Sequence, residues 1–238
     1  MPDLDEIIDL CRATLALHPP GHSDQSTSLE NLTVSLSERF KQRGVLSDLD
    51  EIIDLKRAAL ALCPLGHSSR TLSLNNLAIN LSDKFEQQGV LSDLDEAIDL
   101  CRAALALCPP GHSDRSMSLN NLANGLSDRF KQQGVLSDLD EAIDLNRAAL
   151  ALCPPGHSFR SIALNNLASC LSNRFTQQGV VSESDLDEAI DLNRAALALR
   201  PPGHSSRSSS LNNLASNLGD RFTQQGVLSD LDEAIDLN

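Results

Sequence analysis

The chain has 238 residues, with 19 Lys and Arg against 33 Asp and Glu, a formal net charge of −14; that disfavours a nucleic-acid binder, which needs clustered cations to neutralise phosphates. Aromatic residues make up 3%, with no Trp or Tyr, too few for a base-stacking platform or a usual β-sandwich, while 41% hydrophobic residues are enough to bury a core. No apolar run reaches the length of a membrane span, and no basic-then-apolar leader opens the chain.

In chain order, the pattern predicts a lone helix over 3–17, then helix pairs beginning near 25, 70, 115 and 160. A further helix of the first type follows over 207–224, then a stub of its partner from Asp230 to Asn238. The order follows from repetition. The string Asp-Leu-Asp-Glu starts at Asp3, Asp48, Asp93, Asp138, Asp185 and Asp230, at intervals of 45, 45, 45, 47 and 45 residues. The longer interval is expected to come from Glu183 and Ser184, inserted in the loop before Asp185. A second string, Leu-Asn-Asn-Leu-Ala, starts at Leu74, Leu119, Leu164 and Leu211, with a degraded copy at Leu29. A third, Gly-His-Ser, starts at Gly21, Gly66, Gly111, Gly156 and Gly203.

Each unit reads as two helices. In the third, Leu119, Leu122, Ala123, Leu126 and Phe130 form one apolar stripe at helical spacing. Gly134 is placed to end that helix in the left-handed conformation. In the second helix, Ser137 or Asp138 is expected to cap the free N–H groups, with the neighbouring carboxylates at the positive end of the dipole. Leu139, Ala142, Ile143, Ala149 and Leu150 are expected to face inward, and Pro154-Pro155-Gly156 stops the helix. One pair cannot bury both its faces, so stacked pairs are expected to share a continuous core. The expected fold is an all-α, right-handed α-solenoid of antiparallel helix pairs, a single array over 1–238 with no domain boundary.

These residues resemble the tetratricopeptide repeat (TPR). The family spacing W-x₂-L-G-x₂-Y appears as Leu119-x₂-Leu122-Ala123-x₂-Leu126, and the downstream A, F, A and P positions fall on Ala142, Asn146, Ala149 and Pro154. The family unit is about 34 residues. The surplus is assigned to an extra helical turn around Ser127–Phe130, the inner loop at Val135–Ser137 and the connection through Gly156–Ser158. The NNLA, QG and Gly-His strings look most like the kinesin-light-chain type of repeat. They also look like fungal arrays of that type that precede a CHAT (caspase-like) protease domain. Leu stands at the family's Trp and Tyr positions, and Cys11, Lys56, Cys101, Asn146 and Asn193 at its Phe position.

The resemblance implies a groove on the first-type helices in which an Asn hydrogen-bonds a ligand's main chain. The second Asn of each pair matches that place: Asn31, Asn76, Asn121, Asn166 and Asn213. A carboxamide offers both donor and acceptor, as an extended peptide backbone requires. The alternative is that these amides bond neighbouring helices. Beside them lie Asn75, Asn120, Asn165 and Asn212, then Asn124, Ser169 and Ser216 a turn later, with Val34 and Ile79 making the first repeats more apolar. Arg129, Arg174 and Arg221 share one repeated position, taken by Lys84 in the second repeat. They are expected either to pair with nearby acids or to form a basic track for an acidic peptide.

Other motifs point away from chemistry. Zinc needs several ligands each about 2 Å from the ion. Packed helices lie roughly 8–10 Å apart, so one ion cannot collect His22, His67, His112, His157 and His204. These are read as linker residues that pack or cap the next helix. The six cysteines contain no C-x-x-C pair, and the position shared by Cys63, Cys108 and Cys153 holds His18 and Arg200 elsewhere, which suits reduced thiols in an intracellular protein. The Asp-Leu-Asp-Glu runs lack the glycine and terminal Glu of a calcium loop. No metal or cofactor is expected.

The leading expectation is a cytoplasmic, non-catalytic scaffold that binds a peptide or protein in its concave groove and engages neither nucleic acid nor membrane. Alternatives are head-to-tail self-association through apolar stripes at the ends of the array, or regulation of an effector domain, such as a CHAT-type protease, encoded elsewhere.

Overall fold

The computed structural model describes residues 3–67, 69–178 and 183–237. Eleven helices and no strand occur among the described residues. They divide into two compact units, Met1–Asp114 and Arg115–Asn238. The first unit holds α1 (Leu4–Ala16), α2 (Gln25–Arg43), α3 (Leu46–Ala61), α4 (Arg70–Gln88) and α5 (Leu91–Ala106). The second holds α6 (Arg115–Gln133), α7 (Leu136–Ala151), α8 (Arg160–Gln178), α9 (Glu183–Ala198), α10 (Arg207–Gln225) and α11 (Leu228–Leu237). No described helix is long and apolar enough to cross a membrane.

Even-numbered helices are of the first type and odd-numbered helices of the second. Within each unit, a first-type helix packs on its own partner (α2 on α3, α8 on α9) and on the second-type helix before it (α2 on α1, α8 on α7). The apolar stripe carries that packing. Leu119, Leu122, Ala123, Leu126 and Phe130 are all buried, as are Leu139, Ala142, Ile143 and Ala149; Leu150 is half-buried. Each fully buried Leu or Ile contributes about 1.5–3 kcal/mol. At the end of α4, Gly89 adopts φ 70° and returns its N–H to the Phe85 carbonyl at 2.7 Å. A side chain bearing a Cβ would be strained in that left-handed conformation.

The second-type helices differ from expectation at their start. Apart from α1, which starts at Leu4 behind Asp3, they open ahead of the expected Ser-Asp start: in α7 the inner loop shrinks to Gly134-Val135, and Leu136 and Ser137 are helical. The N-cap is Val135 with no side-chain cap bond, and neither Ser137 nor Asp138 caps. Helix α9 likewise begins at Glu183, so Glu183 and Ser184 belong to the helix and are not a loop insertion. The two extra residues precede them, within 179–182, outside the described residues. Asn238, the last residue of the expected stub, also lies outside them.

The Asp-Leu-Asp-Glu motif has a different task from capping. Arg174, in the last turns of α8, donates from Nε and Nη2 to Asp185 of α9 at 2.7 and 2.8 Å, and from Nη1 to Asp140 of α7 at 3.3 Å. Arg221 repeats this with Asp230 at 2.6 and 2.9 Å and Asp187 at 2.7 Å. Arg39 does so in the first unit, with Asp48 at 2.8 and 2.6 Å and Asp5 at 2.7 Å. Lys84 reaches Asp50 at 2.8 Å and Asp93 at 3.8 Å. The first Asp of the motif therefore binds the cation of its own repeat, and the second binds the cation of the next.

The Glu of the motif serves a second ladder between consecutive second-type helices. Arg12 bonds Glu51 at 2.6 Å, Arg57 bonds Glu96 at 2.8 Å, Arg147 bonds Glu188 at 2.8 Å and Arg194 bonds Glu233 at 2.6 Å. The two ladders differ in depth. The Asp185 side chain is 5% exposed, whereas Arg147 and Glu188 are 45% and 39% exposed. Removing one partner of a nearly buried pair strands the other charge, while exposed pairs contribute little.

Arg174→Gln is expected to lower the unfolding free energy by about 2 kcal/mol, between the exposed and buried limits. Arg147→Gln should cost no more than about 0.5 kcal/mol. Urea titration of the two variants beside the parent chain measures both; equal losses would refute the depth argument.

Candidate functional site

With the acidic motif bound up in ladders, the surface left open for a ligand lies along the first-type helices, where successive helices leave clefts. In the second unit, α8 touches both α6 and α10. A cleft of about 210 Å³ between α6 and α8 is lined by Asn124, Ser127, Asp128, Lys131, Asn166, Ser169 and Cys170. A second of about 210 Å³, between α8 and α10, is lined by Ser169, Ser172, Asn173, Asn193, Asn213, Ser216 and Asn217. In the first unit, a wider cleft of about 300 Å³ separates α2 from α4. Its lining includes Glu30, Lys56, Cys63, His67, Ser73 and Asn76.

The expected binding asparagines divide into three groups. Asn31, Asn76 and Asn212 are exposed, and Asn76 lines the α2–α4 cleft. Asn166 and Asn213 are half-buried and bonded into the preceding repeat. The Asn166 amide donates to Oδ1 of Asn120 at 2.9 Å and of Asn124 at 3.0 Å, and the Asn213 amide donates to Oδ1 of Asn165 at 3.4 Å. Asn121 is half-buried, and Asn75 and Asn120 are buried. In the second unit, then, the second Asn of one pair reaches the first Asn of the pair before it. Each bonded amide keeps further hydrogen-bonding capacity, since a carboxamide has two donors and two acceptor lone pairs. Asn124, Ser169 and Ser216 line the clefts, and Val34 and Ile79 are exposed.

The repeated cations are paired. Arg129 donates to Asp138 at 2.7 and 3.0 Å, while Arg174 and Arg221 hold the acids described above. Bonds to Asp185 and to Asp230 hold the Arg174 and Arg221 guanidiniums more firmly protonated than usual. In return, the Arg221 guanidinium holds the Asp230 carboxyl below its ordinary range.

The linker histidines accept backbone N–H groups just before the first-type helices. His22, His67, His157 and His204 take, on Nδ1, the N–H two residues downstream at 3.1, 3.2, 3.2 and 3.1 Å. This fixes the turn that aims each helix. At the first linker, His18 stacks on His22 with centroids 4.4 Å apart, and their ring nitrogens lie within 4.8 Å of an Asp24 carboxylate oxygen. All six cysteines are free thiols. Burial pushes the Cys101 thiol up to about 12, and those of Cys153 and Cys170 upward, so none of these three is poised as a thiolate nucleophile.

Sequence reasoning missed two residues. Asn193, at the family's Phe position, is fully buried and lines the α8–α10 cleft. Arg200, where other repeats hold Cys, is 4% exposed. It is held by the Ser210 hydroxyl at 2.5 Å and the Ser206 and Ser161 carbonyls at 3.1 and 3.2 Å, and burial lowers its pKa. Their departure from the repeat consensus was the available signal.

Comparison with solved structures defines the class. The whole chain aligns with 91% of BtubC (BKLC) from P. vanneervenii, at 19% identity and a TM-score of 0.65. A putative kinesin light chain from Podospora anserina with nearly identical TPR-like repeats aligns over 91% of this chain and 96% of its own, at 20% identity and a TM-score of 0.60. MamA of RS-1, as an ArsTM double mutant, aligns over 90% and 95%, at 14% identity and 0.57. No family model matches the chain, and no curated protein does. The protein therefore has an all-α TPR-like repeat fold, of the solenoid class.

Asp220 of α10 faces no ion-pair partner among the described residues, and burial raises its carboxyl pKa. The equivalent residue of α8 is Asn173. A raised folded pKa means that the ionised group destabilises the fold above that pKa, and that the cost fades as pH falls through it to the unfolded value. Asp220→Asn should therefore stabilise at pH 7, by no more than about 0.5 kcal/mol. The gain should disappear in acid. Thermal melts from pH 7 to 3 would show it; a gain that grows toward low pH would contradict the assignment.

Proposed function

We propose that the protein is a non-catalytic scaffold that binds an extended peptide, or a peptide-like segment of a partner protein, along its first-type helices. The observation that carries this reading is that the clefts between first-type helices within each unit all present side-chain amides and hydroxyls. Elsewhere the repeated polar groups are spent on holding repeats together: the acids on two ion-pair ladders, the linker histidines on helix starts. The clefts keep open donors and acceptors, which is what a peptide main chain would meet. Asn76, Asn121, Asn166, Asn31 and Asn213 supply the main-chain contacts in this reading, and Asn75, Asn120, Asn165 and Asn212 orient or supplement them. Arg129 and Arg174 contribute through the outer edges of their Asp pairs rather than as free cations. Affinity would be shared over several weak contacts, with a few anchors dominating.

Self-association is a second reading, favoured by the exposure of Leu10 and Leu17 at 68% and 76% and of Leu228 and Ile235 at 70% and 64%. Light scattering across a concentration series separates it: a mass fixed at one chain at high concentration removes it.

The main reading is tested by affinity capture with the parent chain and with the triple variant Asn76→Ala, Asn121→Ala, Asn166→Ala, using Arg147→Gln as a control that leaves the clefts intact. Partners held by the parent and the control should be lost from the triple variant. Identical partner sets on all three proteins would overturn the groove.

A further inference from the structure

We propose that the α8–α10 cleft is a subsite for a primary carboxamide, the side chain of an Asn or Gln in a bound peptide, and that Asn193 reads it. This deepens the reading above and rests on it.

Asn193 is 0% exposed, yet neither its Nδ2 nor its Oδ1 has a partner among the described residues. Each unmet buried group costs roughly 1–3 kcal/mol. Because both atoms are unmet, exchanging the amide N and O changes nothing. Nor does the fold require an amide here. The same position holds Cys11 and Cys101 in other repeats, and a Cys would fill it as a small apolar group with no comparable unmet need. The equivalent amide in α7, Asn146, donates its Nδ2 to the Cys170 Sγ at 3.5 Å and leaves only its Oδ1 unmet, whereas Asn193 leaves both atoms unmet. In α10 the residue matching Cys170 is Asn217, whose Oδ1 is occupied by the Ser172 hydroxyl at 2.8 Å.

Asn193 lies instead in the lining of a cleft, beneath its surface, whose other lining residues are uncharged: Asn213, Ser216, Ser169, Ser172, Asn173 and Asn217, with no ionised side chain among them. An ionic ligand group would lose its hydration there and meet no counter-charge. An apolar group would leave the Asn193 donor and acceptor unmet. A primary carboxamide presents one N–H on the same side as its C=O, so it can give and receive one bond each with the Asn193 amide in a closed pair. A trans peptide unit holds its N–H and C=O on opposite sides and cannot make both bonds.

The test pans a random displayed peptide library against the full chain and against Asn193→Leu and Asn193→Cys. The Cys found at equivalent positions makes the second variant compatible with the fold, and melting curves verify both. Peptides selected by the parent should carry Asn or Gln at one fixed position. Replacing that residue by Leu or Glu should weaken binding about ten-fold, the scale of one or two lost hydrogen bonds, and the preference should vanish with both variants. Free glutamine at the same concentration should not compete; if it reproduces the full response, a peptide source is refuted. Selection without carboxamide preference, or a preference that survives both substitutions, overturns this subsite and leaves the scaffold reading standing. No selected peptide on the parent chain sinks both.

Discussion

A helix hairpin has two broad faces and only one partner of its own, so neighbouring repeats must cover what the hairpin leaves bare. Everything else in each unit follows from that requirement. The apolar stripe of a first-type helix is divided between its own partner and the second-type helix before it, which explains why Leu167 and Leu171 of α8 are as deeply buried as Leu186 and Ile190 of α9. Burial alone does not fix how far one hairpin slides on the next, because apolar contact is non-directional. The guanidinium triads supply the missing register. Arg174 and Arg221 have planar, forked donors whose geometry is satisfied only when carboxylates from both flanking second-type helices stand in place.

That division of labour sorts the polar residues. The acids of the Asp-Leu-Asp-Glu motif, which contribute much of the net charge of −14, are committed to holding helices and repeats together, so the charge is a poor guide to the ligand. The guanidiniums that a charge map would mark as a basic track are committed in the same way. What the clefts between first-type helices share is carboxamides and hydroxyls, with charged neighbours such as Lys56 or Asp128 in some and none in the α8–α10 cleft. Such groups bind weakly one at a time and gain from repetition, a regime that suits an extended chain better than a compact ligand.

The sequence made the helices legible because their pattern is local. The stripe from Leu119 to Phe130 and the stop at Gly134 depend on neighbours within a few turns, and the observed bounds depart from the expected ones by only a residue or two. The role of Asp-Leu-Asp-Glu was not legible in the same way. Its partners lie 9 residues away for Asp48 with Arg39 and 39 residues away for Glu51 with Arg12, across a neighbouring helix. A capping reading was therefore natural, and it fails because the helix begins at Leu136, ahead of the motif. For the binding asparagines, spacing located the right face, but it could not tell that Asn166 reaches back to Asn120 while Asn76 stands exposed. That difference depends on how closely two helices approach, which no single repeat encodes.

A near-uniform array needs a source of specificity, and the clefts supply one that the consensus hides. Two positions that face each other vary from repeat to repeat: the floor residue of a second-type helix and the residue 24 positions on in the first-type helix that follows. They pair as Cys11 with Ser35 at 3.8 Å and as Asn146 with Cys170 at 3.5 Å. In the α8–α10 cleft both members are amides, Asn193 and Asn217, and the floor member is left unmet. In the α2–α4 cleft the floor member is Lys56. The floor thus changes from an ammonium in the α2–α4 cleft to a carboxamide in the α8–α10 cleft, while amides and hydroxyls stand in the walls of both. Walls that repeat can hold a main chain in register, while floors that differ can test one side chain per repeat. Conserved geometry and variable chemistry then occupy adjacent atoms, and the repeats can diverge in what they read without disturbing the ladders that stack them.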